Sequence, residues 1–188
     1  MPTQHVDVRV MRADEFDAMR DLSVRAFGDD PEIRDLLNLL RDSWAWDDEL
    51  SFIAELGGEI VGQVLFTHAF LDTATKILDV LVLSPIGVRP DLQRSGIGGR
   101  LIRTALAALE LRTEPLVFLE GHPSYYPQFG FRPAGALGFE SPSTRTPAAA
   151  FMVYPLPAHR PGVVGRLVYP DAFWRIGAVG PPPPDSVS

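Results

Sequence analysis

The chain has 188 residues, 46% of them apolar, and a formal net charge of −7. That length suits one domain, or one domain with an extension, and the apolar share excludes wholesale disorder. The negative balance argues against general nucleic-acid binding, which needs a basic face, and the lack of cysteine excludes disulfides, thiolate metal sites and a cysteine nucleophile. The opening "MPTQHVDVRV" shows no basic-then-apolar leader, and no apolar run reaches membrane-spanning length. The expectation is a soluble, cytoplasmic protein without a membrane partner.

In chain order, "HVDVRVM" alternates as a half-buried strand does. Asp14 is placed to cap a helix that carries Phe16, Met19, Ser23 and Phe27 on one face. A second helix follows in "DDPEIRDLLNLLRD", with Asp30 as cap, Pro31 in the first turn and a stripe of Ile33, Leu36, Leu37 and Leu40. "SFIAEL", Gly57-Gly58 and "EIVGQVLFTHAFLD" read as two strands joined by a two-residue turn. "KILDVLVLSPIGV" is a further strand, and Pro85 and Gly87 predict a bulge or a lost partner near its end. "GGRLIRTALAALELR" predicts a helix with Leu101, Ile102, Ala105, Leu106 and Leu109 inward. "PLVFLEG" is a short buried strand, "SYYPQFGF" one helical turn closed by Gly130, and "AAAFMVYPL" another strand. Beyond residue 155 the composition turns Pro-rich, with "VGRLVYPDAFWRI" as one ordered patch; residues 181–188 read as a flexible tail. The order predicts an α/β fold around a mixed sheet, antiparallel in front, with a parallel step at the glycine-rich loop.

That loop, "LQRSGIGG" at 92–99, opens the helix. The first turn of a helix leaves backbone N–H groups without partners, and the helix dipole makes it positive. Glycines let a phosphate come close, and Ser95 adds a hydroxyl. Arg89, Arg94, Arg100 and Arg103 face only Asp91 within residues 89–103, a local excess of 4 − 1 = +3. The G-x-G-x-x-G dinucleotide pattern fails, because Leu101 stands where its third glycine would be, and the P-loop fails for want of Gly-Lys-Ser/Thr. What remains is Gln-x-x-Gly-x-Gly at Gln93, Gly96 and Gly98, an anion site or a structural turn.

With "LSPIGVRPDLQRSGIGGRLI" and "GHPSYYPQFGF" in that order, the sequence resembles the GCN5-related N-acetyltransferase (GNAT) superfamily over roughly residues 5–155. "GRLVYPDAFW" is similar to the C-terminal patch of a bacterial, largely uncharacterised branch. The resemblance implies a GNAT-like domain over 1–155 and an extension over 156–180 that packs on the domain or on a partner. It implies a mostly antiparallel sheet, splayed at a central parallel strand pair and flanked by helices. It also implies acetyl-CoA as co-substrate, a small-molecule amine or peptide as acceptor, and direct attack in a ternary complex without an acyl-enzyme. Backbone N–H groups of Gln93, Arg94, Ser95, Gly96, Ile97, Gly98 and Gly99 would hold the pyrophosphate. Ile86, Gly87 and Val88 would pair with the pantetheine arm, and an N–H near Ile86 would stabilise the thioester oxyanion. Tyr126 matches the acid that protonates the leaving thiolate, with Ser124 as cap of its turn. Leu119 and Gln128 stand where the superfamily often shows Asn and this branch Arg.

Glu120, ending its strand, is a candidate base or amine-binding carboxylate, against a solvated strand end. Asp79 interrupts an apolar strand, where a buried carboxylate would need a partner; it is a candidate relay or a cap. His68 and His122 are weaker relays. The four His show no metal-ligand spacing, so no metal is assigned. Phe173 and Trp174 suggest a cover for a sheet edge or a homodimer contact. The alternatives that stay open are a non-catalytic acyl-CoA-binding or sensor module on the same fold, and a transferase of longer acyl groups.

Overall fold

The structure is a computed structural model that describes residues 6–179. The strands are β1 (Val6–Val10), β2 (Ser51–Leu56), β3 (Glu59–Asp72), β4 (Ile77–Val88), β5 (Leu116–Glu120), β6 (Arg132–Pro133), β7 (Phe139–Glu140), β8 (Phe151–Pro155) and β9 (Gly165–Val168). The helices are α1 (Phe16–Ala26), α2 (Pro31–Arg41), α3 (Ile97–Leu109) and α4 (Asp171–Arg175). The main hydrogen-bonded order is β1-β2-β3-β4-β5-β8-β6, with β9 joining β3 and β7. It is a mixed α/β fold with an open, mostly antiparallel sheet and helices beside it. The parallel step lies between β4 and β5, where Leu81 faces Val117 and Val82 faces Phe118. That ladder is two residues long, after which β4 runs on to Val88 and β5 to Glu120. The chain forms two compact units, one of residues up to 67 with 83–111, the other of 68–82 with residues from 112 onward. The predicted tail at 181–188 lies outside the described residues.

The first unit holds the β1-β2-β3 antiparallel ladder, α1, α2 and α3. The Gly57-Gly58 turn adopts positive φ at both positions, +60° and +85°, as a tight two-residue hairpin requires. α3 packs on β1 and β2 through an apolar stripe, and Leu101, Ile102, Ala105, Leu106 and Leu109 are all buried as the periodicity predicts. Burying one such Leu is worth roughly 1.5–3 kcal/mol. In α2, Asp30 accepts a hydrogen bond from the Glu32 N–H at 2.9 Å, with Pro31 following, and Leu36, Leu37 and Leu40 are buried.

α1 departs from expectation. Asp14 sits inside a short 3-10 turn, Ala13–Glu15, and the backbone N–H of Arg12 is capped by Glu15 at 2.8 Å. The buried face is Met19, Leu22, Ser23 and Val24, while Phe27 is exposed at the helix end. Met19 and Ser23 of the expected face are buried, whereas Phe27 falls beyond the last helical residue, Ala26, as its C-cap. β4 is one strand through Pro85 and Gly87, with a cis Ser84–Pro85 bond, and its ladder with β5 ends at Val82, the lost partner expected near its end. Gly87 lies where α1 comes close, because a Cβ there would stand 3.0 Å from that of Ala26.

The second unit centres on β5. Its central Phe118 stacks on Phe151 at 5.6 Å and meets Phe139 edge-on at 5.2 Å. β5 pairs antiparallel with β8 from Leu116↔Pro155 to Glu120↔Phe151. β9 pairs with the end of β3, Phe70↔Val168 to Asp72↔Arg166, and parallel with β7. The patch "GRLVYPDAFW" is thus sheet and helix of this unit, with Phe173 buried and Trp174 exposed.

Candidate active site

In the first unit, the loop from β4 to α3 begins with a 3-10 turn, Pro90–Leu92. Two residues then take the left-handed region, Arg94 at φ +62° and Gly96 at φ +90°. Gly96 is the cap of α3 and carries no side chain to occupy the first-turn N–H groups of Ile97, Gly98 and Gly99. The first turn of α3 holds no acidic residue, so its dipole is not offset there. Gln93, Arg94, Ser95 and Gly96 are exposed.

The side chain of Gln93 points back into the protein. Its amide donates to Val88 O at 3.2 Å and Ala26 O at 3.4 Å, fastening the loop to the ends of β4 and α1. Ser95 donates its hydroxyl proton to Leu92 O, so that hydroxyl shapes the loop. The local charge excess also shrinks. Arg89 pairs with Asp91 at 2.8 Å and with Glu59 at 2.9 Å, and Glu59 lies outside the counted window. Ile86 and Val88 are half-buried and Gly87 is buried.

In the second unit, β5 ends at the half-buried Glu120, and Gly121 follows with its N–H on Ala150 O at 2.9 Å. The chain then forms the predicted turn, Tyr126–Phe129, closed by Gly130 at φ +97°. Ser124 does not cap it: its hydroxyl lies 2.9 Å from His122 Nδ1, and Tyr125 occupies the cap position. The adjacent tyrosines differ. Tyr126 is buried with its ring over Gly121, where a Cβ would lie 2.2 Å from Cε2. Tyr125 is exposed and packs edge-on against Tyr126 and Phe129 at 5.2 Å. Burial, with a smaller effect of Tyr125, pushes the Tyr126 phenol up to about 12. It stays protonated at any physiological pH, as a proton donor must.

Burial first, then the charge of Glu120 and hydrogen bonding with it, push the phenol of Tyr169, which follows β9, well above the ordinary tyrosine range. Sequence reasoning missed this pairing, although Tyr169 stands inside "GRLVYPDAFW". Asp79 is exposed, since it lies near the exposed start of β4, so no buried carboxylate needs relief there. His68 Nδ1 lies 3.6 Å from Glu114, which also pairs with Arg112 at 2.8 Å. Burial raises Glu114, but hydrogen bonds from Arg112 and the backbone, with the charges of Arg112 and His68, outweigh it and hold the carboxyl low. Among the described residues no group of three or more His, Cys, Asp or Glu could hold a metal ion. Within those residues no helix is long and apolar enough to cross a membrane.

The uncapped, glycine-opened first turn of α3 offers backbone N–H groups to an anion such as a phosphate. The family model for the acetyltransferase (GNAT) domain matches residues 7–134, and the chain belongs to that family. It is 36% identical over 143 residues to the uncharacterised N-acetyltransferase YjhQ of Escherichia coli, covering 76% of this chain and 78% of that one. A mycothiol acetyltransferase of Streptomyces bingchenggensis is 34% identical over 120 residues, covering 61% of this chain and 37% of that one. Among solved structures, the E. coli GNAT-family N-acetyltransferase YhbS in complex with CoA superimposes with TM-score 0.81 at 25% identity, covering 93% and 95% of the two chains. A Brucella melitensis GNAT-family acetyltransferase in complex with acetyl-CoA gives 0.72 at 26%, covering 90% and 99%.

Proposed function

We propose that this protein transfers the acetyl group of acetyl-CoA to a primary amine by direct attack. The observation that carries the reading is the first turn of α3, where Gly96 leaves three N–H groups uncapped and no acidic residue neutralises the dipole. In this reading residues 93–99 take the pyrophosphate through their backbone, while Gln93 and Ser95 hold the loop in shape with their side chains. Ile86 to Val88 supply backbone groups for the pantetheine arm and the oxyanion. The CoA complex of YhbS and the acetyl-CoA complex of the Brucella protein support the choice of cofactor.

The amine nitrogen attacks the thioester carbon and forms the new C–N bond. The C–S bond breaks, and the leaving thiolate takes a proton from the Tyr126 phenol. The proton lost by the amine goes to Glu120. Proton transfer of this kind is worth about 10²–10⁴ in rate. The net charge of −7 favours cationic acceptors, a small amine or a basic peptide, and the bacterial relatives support a bacterial source. The test has two parts. Acetyl-CoA should raise the melting temperature and pantetheine should do so far less, since it lacks the pyrophosphate. A panel of amines with acetyl-CoA should then release free thiol. Equal stabilisation by both compounds would remove the role of residues 93–99, and binding without turnover of any amine would favour a sensor module.

A further inference from the structure

We propose that a cavity beside β8, in the second unit, holds the body of the acceptor and selects a small primary monoamine with an apolar body and one hydrogen-bonding group. This rests on the acetyl-transfer reading above and names its substrate class. The cavity measures about 370 Å³, within the range of sites that take small molecules. Phe139 and Phe151 line it with aromatic surface, and the loop between β7 and β8 lines it with hydroxyl groups. Phe151 stands directly opposite Glu120 in the antiparallel ladder of β8 and β5. Residues opposite one another in such a ladder share a face of the sheet, and Phe118, two positions before Glu120, shares it too. Phe118 carries the stack on Phe151 and the edge contact with Phe139. The cavity therefore lies on the face that bears Glu120, so a body held there keeps its amine on the side of the proposed base.

The lining decides the chemistry of that body. Two of its hydroxyls are spent within the loop. Ser141 donates to the Ser143 carbonyl at 3.0 Å, and the Ser143 hydroxyl accepts from the Arg145 N–H at 3.1 Å. Thr146 differs: it lines the cavity, is only 8% exposed, and its hydroxyl has no hydrogen-bond partner among the described residues. A buried hydroxyl without a partner is costly, and a polar group on the acceptor would relieve it. The charges of the lining cancel. Glu140 and Arg166 are its charged residues, and Arg166 donates from Nε to the Glu140 carboxylate at 2.9 Å. No net charge is left to welcome a second ammonium group or a carboxylate on the acceptor. A diamine would have to set its extra charge against Phe139 and Phe151 without a counter-ion.

The test follows acetylation and binding in the full chain with methylamine, butylamine, putrescine, 2-phenylethylamine and tyramine. Binding is read from the Thr146 methyl signal of protein carrying ¹³C-methyl threonine, assigned by its loss in Thr146→Val. Butylamine should give a kcat/KM about tenfold or more above methylamine. Putrescine, the same chain with a second charge, should fall about tenfold or more below butylamine. 2-Phenylethylamine should move the Thr146 signal. Ala148→Trp alters an exposed position on the cavity. It should fill the space and remove both that movement and the preference for butylamine, and its melting curve with acetyl-CoA checks the fold. Thr146→Val keeps the shape of the site. It should melt higher, having lost a hydroxyl without a partner, and should lower the kcat/KM of tyramine about fivefold relative to 2-phenylethylamine; an unmoved ratio overturns the hydrogen-bonding group assigned to the acceptor. Equal efficiency for methylamine and butylamine, with an unmoved Thr146 signal, overturns the cavity and leaves acetyl transfer standing. A moved Thr146 signal in a protein that acetylates no amine overturns the acetyl-transfer reading, and the acceptor role of the cavity with it.

Discussion

Replacing Gly121 with alanine would place a methyl carbon 2.2 Å from Cε2 of Tyr126. No real side chain tolerates that, so the ring must move while its phenol stays present. Tyr126→Phe does the reverse, leaving the ring and removing the proton. Both should lower kcat, Tyr126→Phe by tens to hundreds of fold, with acetyl-CoA affinity nearly unchanged. Tyr125→Phe should be mild, because Tyr125 is exposed. Steady-state kinetics with calorimetry for acetyl-CoA checks all three. The raised Tyr126 ionisation adds a pH prediction. A phenol pushed up to about 12 keeps its acid form below that value, so its loss produces no basic limb in the kcat profile up to about pH 11. A limb near pH 10 that vanishes in Tyr126→Phe would contradict the burial argument. The family resemblance, through the spacing to Gly130-Phe131, pointed to Tyr126, and these variants test that register. The burial that separates the two tyrosines was not legible in the sequence, since it depends on Gly121 leaving room beneath the ring.

At the scale of the element, the β4-to-α3 loop depends on backbone geometry. Gly96 holds φ +90°, and no atom would meet a Cβ there within 4 Å, so substitutions are limited by strain rather than by space. Gly96→Asn should fold and bind acetyl-CoA, because Asn tolerates the left-handed region. Gly96→Glu should fold with a modest loss of stability and weaken acetyl-CoA binding by about a hundredfold or more, by setting negative charge at the helix mouth. Calorimetry on the pair separates charge from strain; equal affinities would move the phosphate elsewhere. The motif was plain in the sequence, yet the work of its residues was not. Gln93 and Ser95 spend their side chains on Val88, Ala26 and Leu92 carbonyls. The Arg89 charge is taken up by Glu59, thirty positions upstream. Window counts of charge cannot see such pairs.

At the scale of the whole molecule, acid stability should depend on a network in the first unit. Arg9 of β1 donates to Glu15 at 2.7 Å and to Glu55 of β2 at 2.8 Å. The hydrogen bond from Arg9 is the main reason that the Glu15 carboxyl falls to about 2, against an ordinary 4.5. A carboxyl depressed in the folded state contributes stability above its unfolded value and loses it as pH falls through the folded one. Glu15→Gln should therefore melt lower than the wild type at pH 7, by the equivalent of about 2 kcal/mol. The difference should shrink between about pH 4.5 and pH 2. Thermal melts across that window check it, and a gap that stays constant down to pH 2 would show that the loss is one of packing.

The sequence by itself determined the order of the main elements, β1 to β5, β8 and α1 to α3, with the α3 core stripe, the Gly57-Gly58 turn and the family motif, but not the short β6 and β7. Each of these is local: periodicity, capping and turn chemistry act over a few residues. It also set the net charge and the lack of cysteine, which are sums. Only the tertiary structure decided which neighbours arrive from far along the chain. It brought Tyr169 to Glu120, Glu59 to Arg89, Glu114 to His68 and β9 to the end of β3. It left Asp79 in solvent and ended α1 at Ala26, so that Phe27 is exposed. The physical reason is that a half-buried polar side chain takes the partner that packing delivers, and packing is settled by the whole sheet at once.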